Sequence, residues 1–425
     1  MREAMNGFGE RAVVVAAGVL AFGALAPLPA RAADVEFMTW TYTEETGKAI
    51  VETMVEDFEA ETALTVEPQG YAWGEMSKNL FLRARSNTLP DVTQVQGRLL
   101  PTFAGLDAAI DLNEVIERDE LEAMFAPGFL AMGEVDGRQI ALPWIGGTIG
   151  MVANAEVLEQ AGVETIPTTV EAFRAALEKV RDEVPSSVPY GLATKNENSI
   201  VLDYLVWVWT FGGEVIDADG QPQVDSPEAV AALEFMASLV KERLAAPEID
   251  RPDARRLFGQ GAMAFYFDAP VARTFARQFS GRGEEIDAAV KPVPTPVLGD
   301  GDTPVSIQWG HVIMPLGEDN ASADAAAIKW MMHLLSDAAL VDYAVDQSAL
   351  PVTASGIAAE RVQNDAYLSD WAAASIEPRR NAIASLDNGP AVSAIIGEEM
   401  QAAILGQKTP AEAASSMQSR LEDAL

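Results

Sequence analysis

Read for the period of its apolar positions, the chain alternates short β-branched or aromatic runs with amphipathic stretches of helical period. This is the pattern of α/β layers around mostly parallel sheets. "VEFMTW" (35–40) predicts a first strand. In "TGKAIVETMVEDFEAET", Ile50, Met54 and Phe58 recur one turn apart with Val51 and Val55 beside them, so one stripe of a helix faces a sheet. "LTVEPQGY" predicts the next strand, and "LPDVTQVQG" (89–97) a third, entered through a proline that favours extended backbone. Two later helices carry start signals. Thr168 and Glu171 in "TTVEAF" form a capping box, while Ser226-Pro227-Glu228 supplies an N-cap, a preset first-turn φ and a charge suited to the helix dipole. An aromatic helix in "YLVWVWTFGG" stops at Gly212-Gly213, and "VKPVPTPVLGDGDTP" (290–304), too proline-rich for a helix, reads as a linker.

Length and composition narrow the class. With 425 residues, 49% of them apolar, the chain can bury a large core and divides into two or three domains. Residues 1–32 read as a secretory signal: Arg2 and Arg11 flank a polar start, "AVVVAAGVLAFGALAPLPA" is the apolar region, and Ala30-Arg31-Ala32 has the form of a cleavage site. Cleavage near Ala32-Ala33, with no cysteine to accept a lipid anchor, predicts an exported, periplasmic, soluble chain. Zero cysteines exclude disulfides, thiolate metal sites and cysteine nucleophiles. The net charge is −35. Because residues 1–32 hold three Arg and two Glu, the remainder carries −36, a field that repels nucleic acid and anionic lipid.

Catalytic and metal motifs are sparse. The two histidines, His311 and His333, lack a metal-ligand spacing, and neither "GGTIG" (146–150) nor "SGRG" (280–283) completes a phosphate loop, so no metal and no cofactor is expected. There is no G-x-S-x-G elbow, although the many carboxylates leave a sugar-hydrolysing pair open. What stands out is where the aromatic residues fall. Trp40 ends the first strand with Tyr42 just beyond it, and Tyr71 and Trp73 end the second; Trp144 follows Pro143, Tyr266 and Phe267 precede Asp268, and Trp309 precedes Gly310-His311. Ligands of open sheets sit beyond strand ends, and flat rings suit the C–H faces of a sugar while carboxylates and amides take its hydroxyls. Trp207, Trp209, Trp330 and Trp371 fall on helical stretches and read as core.

Taken in order, these landmarks resemble the extracellular solute-binding proteins of ABC transporters, specifically the carbohydrate-binding family that includes maltodextrin-binding protein. "LPDVTQVQG" is similar to the family's Pro-Asp-Val strand, and "LPWIGGTIGMVANAEVLEQAGVETIPTTVEAFRAAL" to its crossing strand, short helix and following helix start. "FGGEVIDADGQPQVDSPEAVAALEFMASLV" resembles its Gly-Gly loop, turn and helix, and "FGQGAMAF" its Ala-Met strand. "LPVTASG" and "ILGQKTPAEAASSMQSRLEDAL" resemble its late turn and final helix. The resemblance covers residues 34–425. Three of the family's ligand positions are changed: the turn that often carries a tryptophan is "FDAP", a carboxylate near the first crossing is replaced by Gly146-Gly147, and a late aromatic falls near Ser393.

The resemblance implies a two-lobed α/β periplasmic-binding-protein fold with crossing strands near 142–147 and 305–311, a third crossing after "AAAIKWMMHLL", and ligand trapped by hinge closure. Such closure around a ligand is the motion of periplasmic binding proteins as a class. One lobe is expected from 33–143 plus 310–335 and the other from 144–309 plus 336–425. The implied function is capture of a mono- to trisaccharide or glycoside and its delivery, by a monomer, to the membrane permease of an ABC importer. The competing classes are an exported glycosidase or lyase and a sensing subunit for a membrane receptor. The candidate ligand-binding residues are Trp40, Trp73, Trp144 and Trp309 for stacking, and Glu44, Gln96, Arg98, Asn196, Asp268 and His311 for hydroxyls, with Tyr42 suited to either. Arg98, a planar fork donor, suits ring hydroxyls or an acidic sugar's carboxylate.

Overall fold

The computed structural model describes residues 33–425 apart from 127, 197, 376 and 387, so the expected signal segment lies outside the described residues. The first strand is Val35–Thr39, and it pairs in parallel with Val66–Gly70 on one side and Val92–Gln96 on the other. Helix Lys48–Thr62 turns Val51, Met54 and Phe58 inward, with Ile50 and Val55 packed at the edge of the same cluster, as the apolar stripe predicts.

Two long strands organise the molecule. Leu142–Asn154 spans 13 residues and Val305–Pro315 spans 11, against a mean strand of about 5 to 6. At about 3.3 Å per residue the longer one reaches roughly 40 Å, enough to run from one packed body into the next. They pair antiparallel to each other, and each joins a different set of neighbours at its two ends. At one end, Val92–Gln96 pairs with 311–315 of the second long strand. At the other, Met263–Asp268 and Val290–Val293 pair with 150–154 of the first, and Val188–Gly191 lies beyond Met263–Asp268.

One apolar core surrounds Phe37, Trp144 and Trp330, and another surrounds Phe173, Tyr190, Trp207 and Phe265. The side chain of Trp309 packs against both. Where the long strands meet between these cores, Gly310 stands opposite Gly146, and Leu350 of a third short strand also pairs with Gly146. A Cβ on Gly146 would lie 2.2 Å from the Phe129 ring, and one on Gly310 would lie 2.7 Å from the Ile145 carbonyl oxygen. Only glycine permits this approach.

Three local expectations need adjustment. The helix Val170–Glu183 is capped by Thr169, whose hydroxyl accepts from the Ala172 amide, rather than by Thr168. The Thr168 carbonyl accepts instead from Val297 N, tying that residue into an extended pairing. The proline-rich segment expected to be a linker contains the strand Val290–Val293, which pairs on one side with 151–154 and so accommodates its proline at an edge. Finally, Leu340, Tyr343, Ala344, Ala349 and Val352 pack in the core with Phe37 and Trp144, so the chain after residue 335 contributes to both cores before its helices join the other one. Ser226 caps Pro227–Lys241 with proline in the first turn, as expected.

Candidate ligand-binding cleft

A cleft enclosing about 250 Å³ opens where the crossing strands pass between the two cores. The lining of its floor includes Gln96 and is supported by Gln94 of the same strand, which bonds to two lining residues. Gln94 and Gln96 are two residues apart, so they share a face of the strand, and both are buried. The hydroxyls of Thr39 and Thr41 donate to Gln94 Oε1. That fixes the amide nitrogen on the other side, where it donates to His311 Nδ1 at 3.2 Å and to the Tyr343 hydroxyl at 3.4 Å. With Nδ1 accepting, the neutral imidazole carries its proton on Nε2. Tyr343 then donates onward to Thr41 Oγ1 at 2.8 Å. Each of these side-chain groups has a defined donor or acceptor role, which holds His311 and Tyr343 rigidly in the cleft lining.

The rings are fixed on this floor. Trp40 and Trp309 both meet His311 edge to face, with centroids 4.6 and 4.5 Å apart. Burial, with the Arg255 charge adding to it, pushes the His311 imidazolium down to about 3, so the ring is neutral at pH 7. Trp73, 38% exposed, stands at the mouth.

The opposite wall is built on arginines. Arg251 and Arg255 lie four apart on helix Arg251–Gly259 and so share a face. Arg255 grips Asp268 with two parallel bonds of 2.7 Å, and its guanidinium sits 4.1 Å over the Phe275 ring. Arg251 pairs with fully buried Asp203 at 2.6 Å and donates to the Phe267 carbonyl. Burial opposes the charge on Arg255, and Asp268 more than offsets it. Half-buried Glu44 faces this wall. Burial pushes its carboxyl up to about 7 against the lowering influence of Arg255, so it is part-protonated at neutral pH.

Of the expected ligand residues, the cleft brings together Trp40, Glu44, Trp73, Gln96, Arg98, Asp268, Trp309 and His311. Three fall elsewhere. Trp144 is fully buried and stacks on Tyr343 at 4.0 Å with the rings parallel to 3°, so it backs a cleft residue instead of facing the cleft. Its strand position predicted a ring at the crossing but not which face of the strand would carry it. Asn196 is exposed, with Oδ1 beside Gly397 on the helix Gly389–Ile404. Tyr42 is half-buried outside the cleft lining, with Lys48 over its ring at 5.4 Å. Asp268 is 2% exposed and committed to Arg255 and the Ala269 amide, which makes it a positioning group more than a free acceptor.

Sequence reasoning missed Gln94, Tyr343, Arg251 and Arg255. The i, i+2 glutamines of "TQVQ" and the i, i+4 arginines of "RPDAR" are periodic signals for a shared face, but nothing local reveals which surface that face meets. Among the described residues there is no group of three or more acidic, histidine or cysteine side chains placed to hold a metal ion, and no helix long and apolar enough to cross a membrane.

Two bodies joined by crossing strands, with a ring-lined cleft between them, define the two-lobed binding-protein fold. Residues 53–369 match the family described as bacterial extracellular solute-binding protein, and the chain belongs to that family. Among solved structures it is similar to maltose-bound MalE3 of T. maritima, with a TM-score of 0.80 and 23% identity over 92% of this chain and 100% of that one. It is also similar to the GacH receptor of Streptomyces glaucescens, solved unliganded and with acarbose, with a TM-score of 0.79 and 20% identity over 92% of this chain and 98% of that one. Among curated proteins, a binding protein of Brucella abortus (strain 2308) is 24% identical over 64% of this chain, and the match spans 66% of that protein's length.

Proposed function

We propose that this solute-binding protein captures a carbohydrate, a mono- to trisaccharide or glycoside, by closing its lobes on it, and delivers it to the permease of an ABC importer without altering it. The observation that carries the reading is the set of rings held by a satisfied polar floor: Trp40 and Trp309 flank His311, whose Nε2 is the donor, and Gln96 adds an amide. Rings for C–H faces next to fixed donors and acceptors match a sugar better than a wholly apolar solute. A volume of about 250 Å³ falls just below the ~300–1,000 Å³ usual for small-molecule pockets, which favours few rings. The carbohydrate ligands in the structures of MalE3 and GacH support the same solute class.

Export through cleavage near Ala32-Ala33, a periplasmic location and a monomeric state belong to this proposal. So does a division into lobes of 33–143 plus 310–335 and 144–309 plus 336–425, adjusted for residues 340–352, which pack with the first lobe's core. Calorimetric titration with a panel of neutral and acidic mono- to trisaccharides, followed by product analysis, tests the proposal. Saturable one-to-one binding with the sugar recovered intact supports it. Turnover of the sugar, or binding only of solutes other than sugars, overturns it.

A further inference from the structure

Arg98 is the unbalanced charge of the cleft. It follows the strand Val92–Gln96 in the 3-10 segment Gly97–Phe103, and it makes no hydrogen bond or ion pair among the described residues; its Nη2 is buried without a partner. The other two arginines of the cleft meet Asp203 and Asp268. None of the acids that share a pocket with Arg98 bonds to it among the described residues. Glu134 pairs with Arg118 at 3.3 Å, and Glu44 lies in the field of Arg255. Burial alone pushes the Arg98 guanidinium down to about 10, so it stays charged at pH 7 and bears an uncompensated desolvation cost.

A second cation lies on the same pocket. Arg98 and Trp309 line both the main cleft and an adjoining pocket of about 110 Å³, which Arg380 and Asn381 also line. Arg379, one residue earlier, is taken up by Glu214 and the Trp209 ring, whereas Arg380 makes no ion pair among the described residues. In a chain of net charge −35, two spare guanidinium groups flanking one small pocket beside a stacking ring are a local reversal of sign.

We propose that this pocket is a subsite for the carboxylate of an acidic saccharide, held by Arg98 with Arg380 beside it while the sugar ring lies against Trp309. The inference rests on the carbohydrate-binding reading above and names the substrate class within it. A planar carboxylate can take two parallel N–H···O bonds from the fork of Arg98, with the Arg380 charge adding to the attraction. Closing a lobe on such a ligand neutralises Arg98 only in the bound state, so the free-state cost adds to ligand selectivity.

The test is calorimetric titration with matched pairs: a hexuronate and its hexose, and the corresponding disaccharides with and without a terminal uronate, together with the hexose 6-phosphate. Wild-type protein should bind the uronate member of a pair at least about 10-fold more tightly. Arg98→Gln should lose about 10- to 100-fold for the uronate and less than about 3-fold for the neutral partner, with an unchanged far-ultraviolet dichroism spectrum. Arg380→Gln, a more exposed site, should lose about 3- to 10-fold for the uronate. Equal or tighter binding of the neutral partners overturns the acidic subsite while leaving the carbohydrate reading intact, and preference for the 6-phosphate overturns the carboxylate assignment. Failure of every sugar to bind overturns both readings.

Discussion

On one wall of the cleft Arg251 and Arg255 each meet a buried carboxylate, Asp203 or Asp268; on the other Arg98 meets none among the described residues. The residue type is the same, yet the consequences differ. A paired cation fixes the geometry of its wall, and its loss leaves a buried acid stranded. An unpaired one lowers the stability of the free protein and awaits an anion from outside. The first wall is therefore a rigid frame, and the second is where ligand charge is read.

The greatest separation between the walls should come from Asp268→Ala, which strands Arg255 in a buried site. It is expected to lower stability by about 3 to 5 kcal/mol in urea unfolding; a loss under about 1 kcal/mol would mean that Asp268 is not the frame of that wall.

Acid sensitivity comes next. The folded-state pKa of His311 is depressed, so its contribution is present above the ordinary value of 6.5 and is lost as pH falls toward about 3. Glu44 is shifted the other way, so its contribution is present below 4.5 and is lost as pH rises through about 7. The two slopes oppose each other between pH 4.5 and 6.5, so single variants are needed to see them. Relative to wild type, His311→Gln should gain about 2 to 3 kcal/mol between pH 6.5 and 4.5 in unfolding free energy. A parallel offset at all pH values would contradict a buried neutral imidazole.

Arg98→Met removes the uncompensated cation and keeps the apolar stem, so the free protein should become about 1 to 3 kcal/mol more stable, the opposite sign to Asp268→Ala. A destabilised Arg98→Met would reveal a partner for Arg98 in the free state. A milder change is expected on the floor shared by both walls. Tyr343→Phe keeps the stack on Trp144 and removes one acceptor and one donor, for a loss of about 1 to 2 kcal/mol by thermal unfolding.

Much of the fold was legible because its signals are local. The stripe of Val51, Met54 and Phe58, the Ser226 cap and the Pro-Asp-Val strand each depend on residues within a few positions of one another. The cleft was legible in part for the same reason: rings and polar groups at strand ends converge in this topology, which brought Trp40, Gln96, Arg98, Trp309 and His311 to one place. What could not be read was pairing across the chain. Tyr343 joins Gln94 across 249 positions, and Arg255 finds Asp268 only because the middle of a helix packs beside a strand end. Trp144 was misplaced because a strand alternates faces, and one residue of register decides between core and cleft. Asp268 looked like a free hydroxyl acceptor until its guanidinium partner came into view.

Everything proposed for the cleft requires that a solute sit against Trp309, the ring that touches both cores and lines both pockets. Calorimetric titration of Trp309→Ala beside wild type, with the tightest-binding sugar of the panel, asks this without an intermediary. A loss of about tenfold or more, close to 1.4 kcal/mol, is expected in a variant that remains folded. An unchanged affinity in that folded variant would mean that no solute rests on this ring.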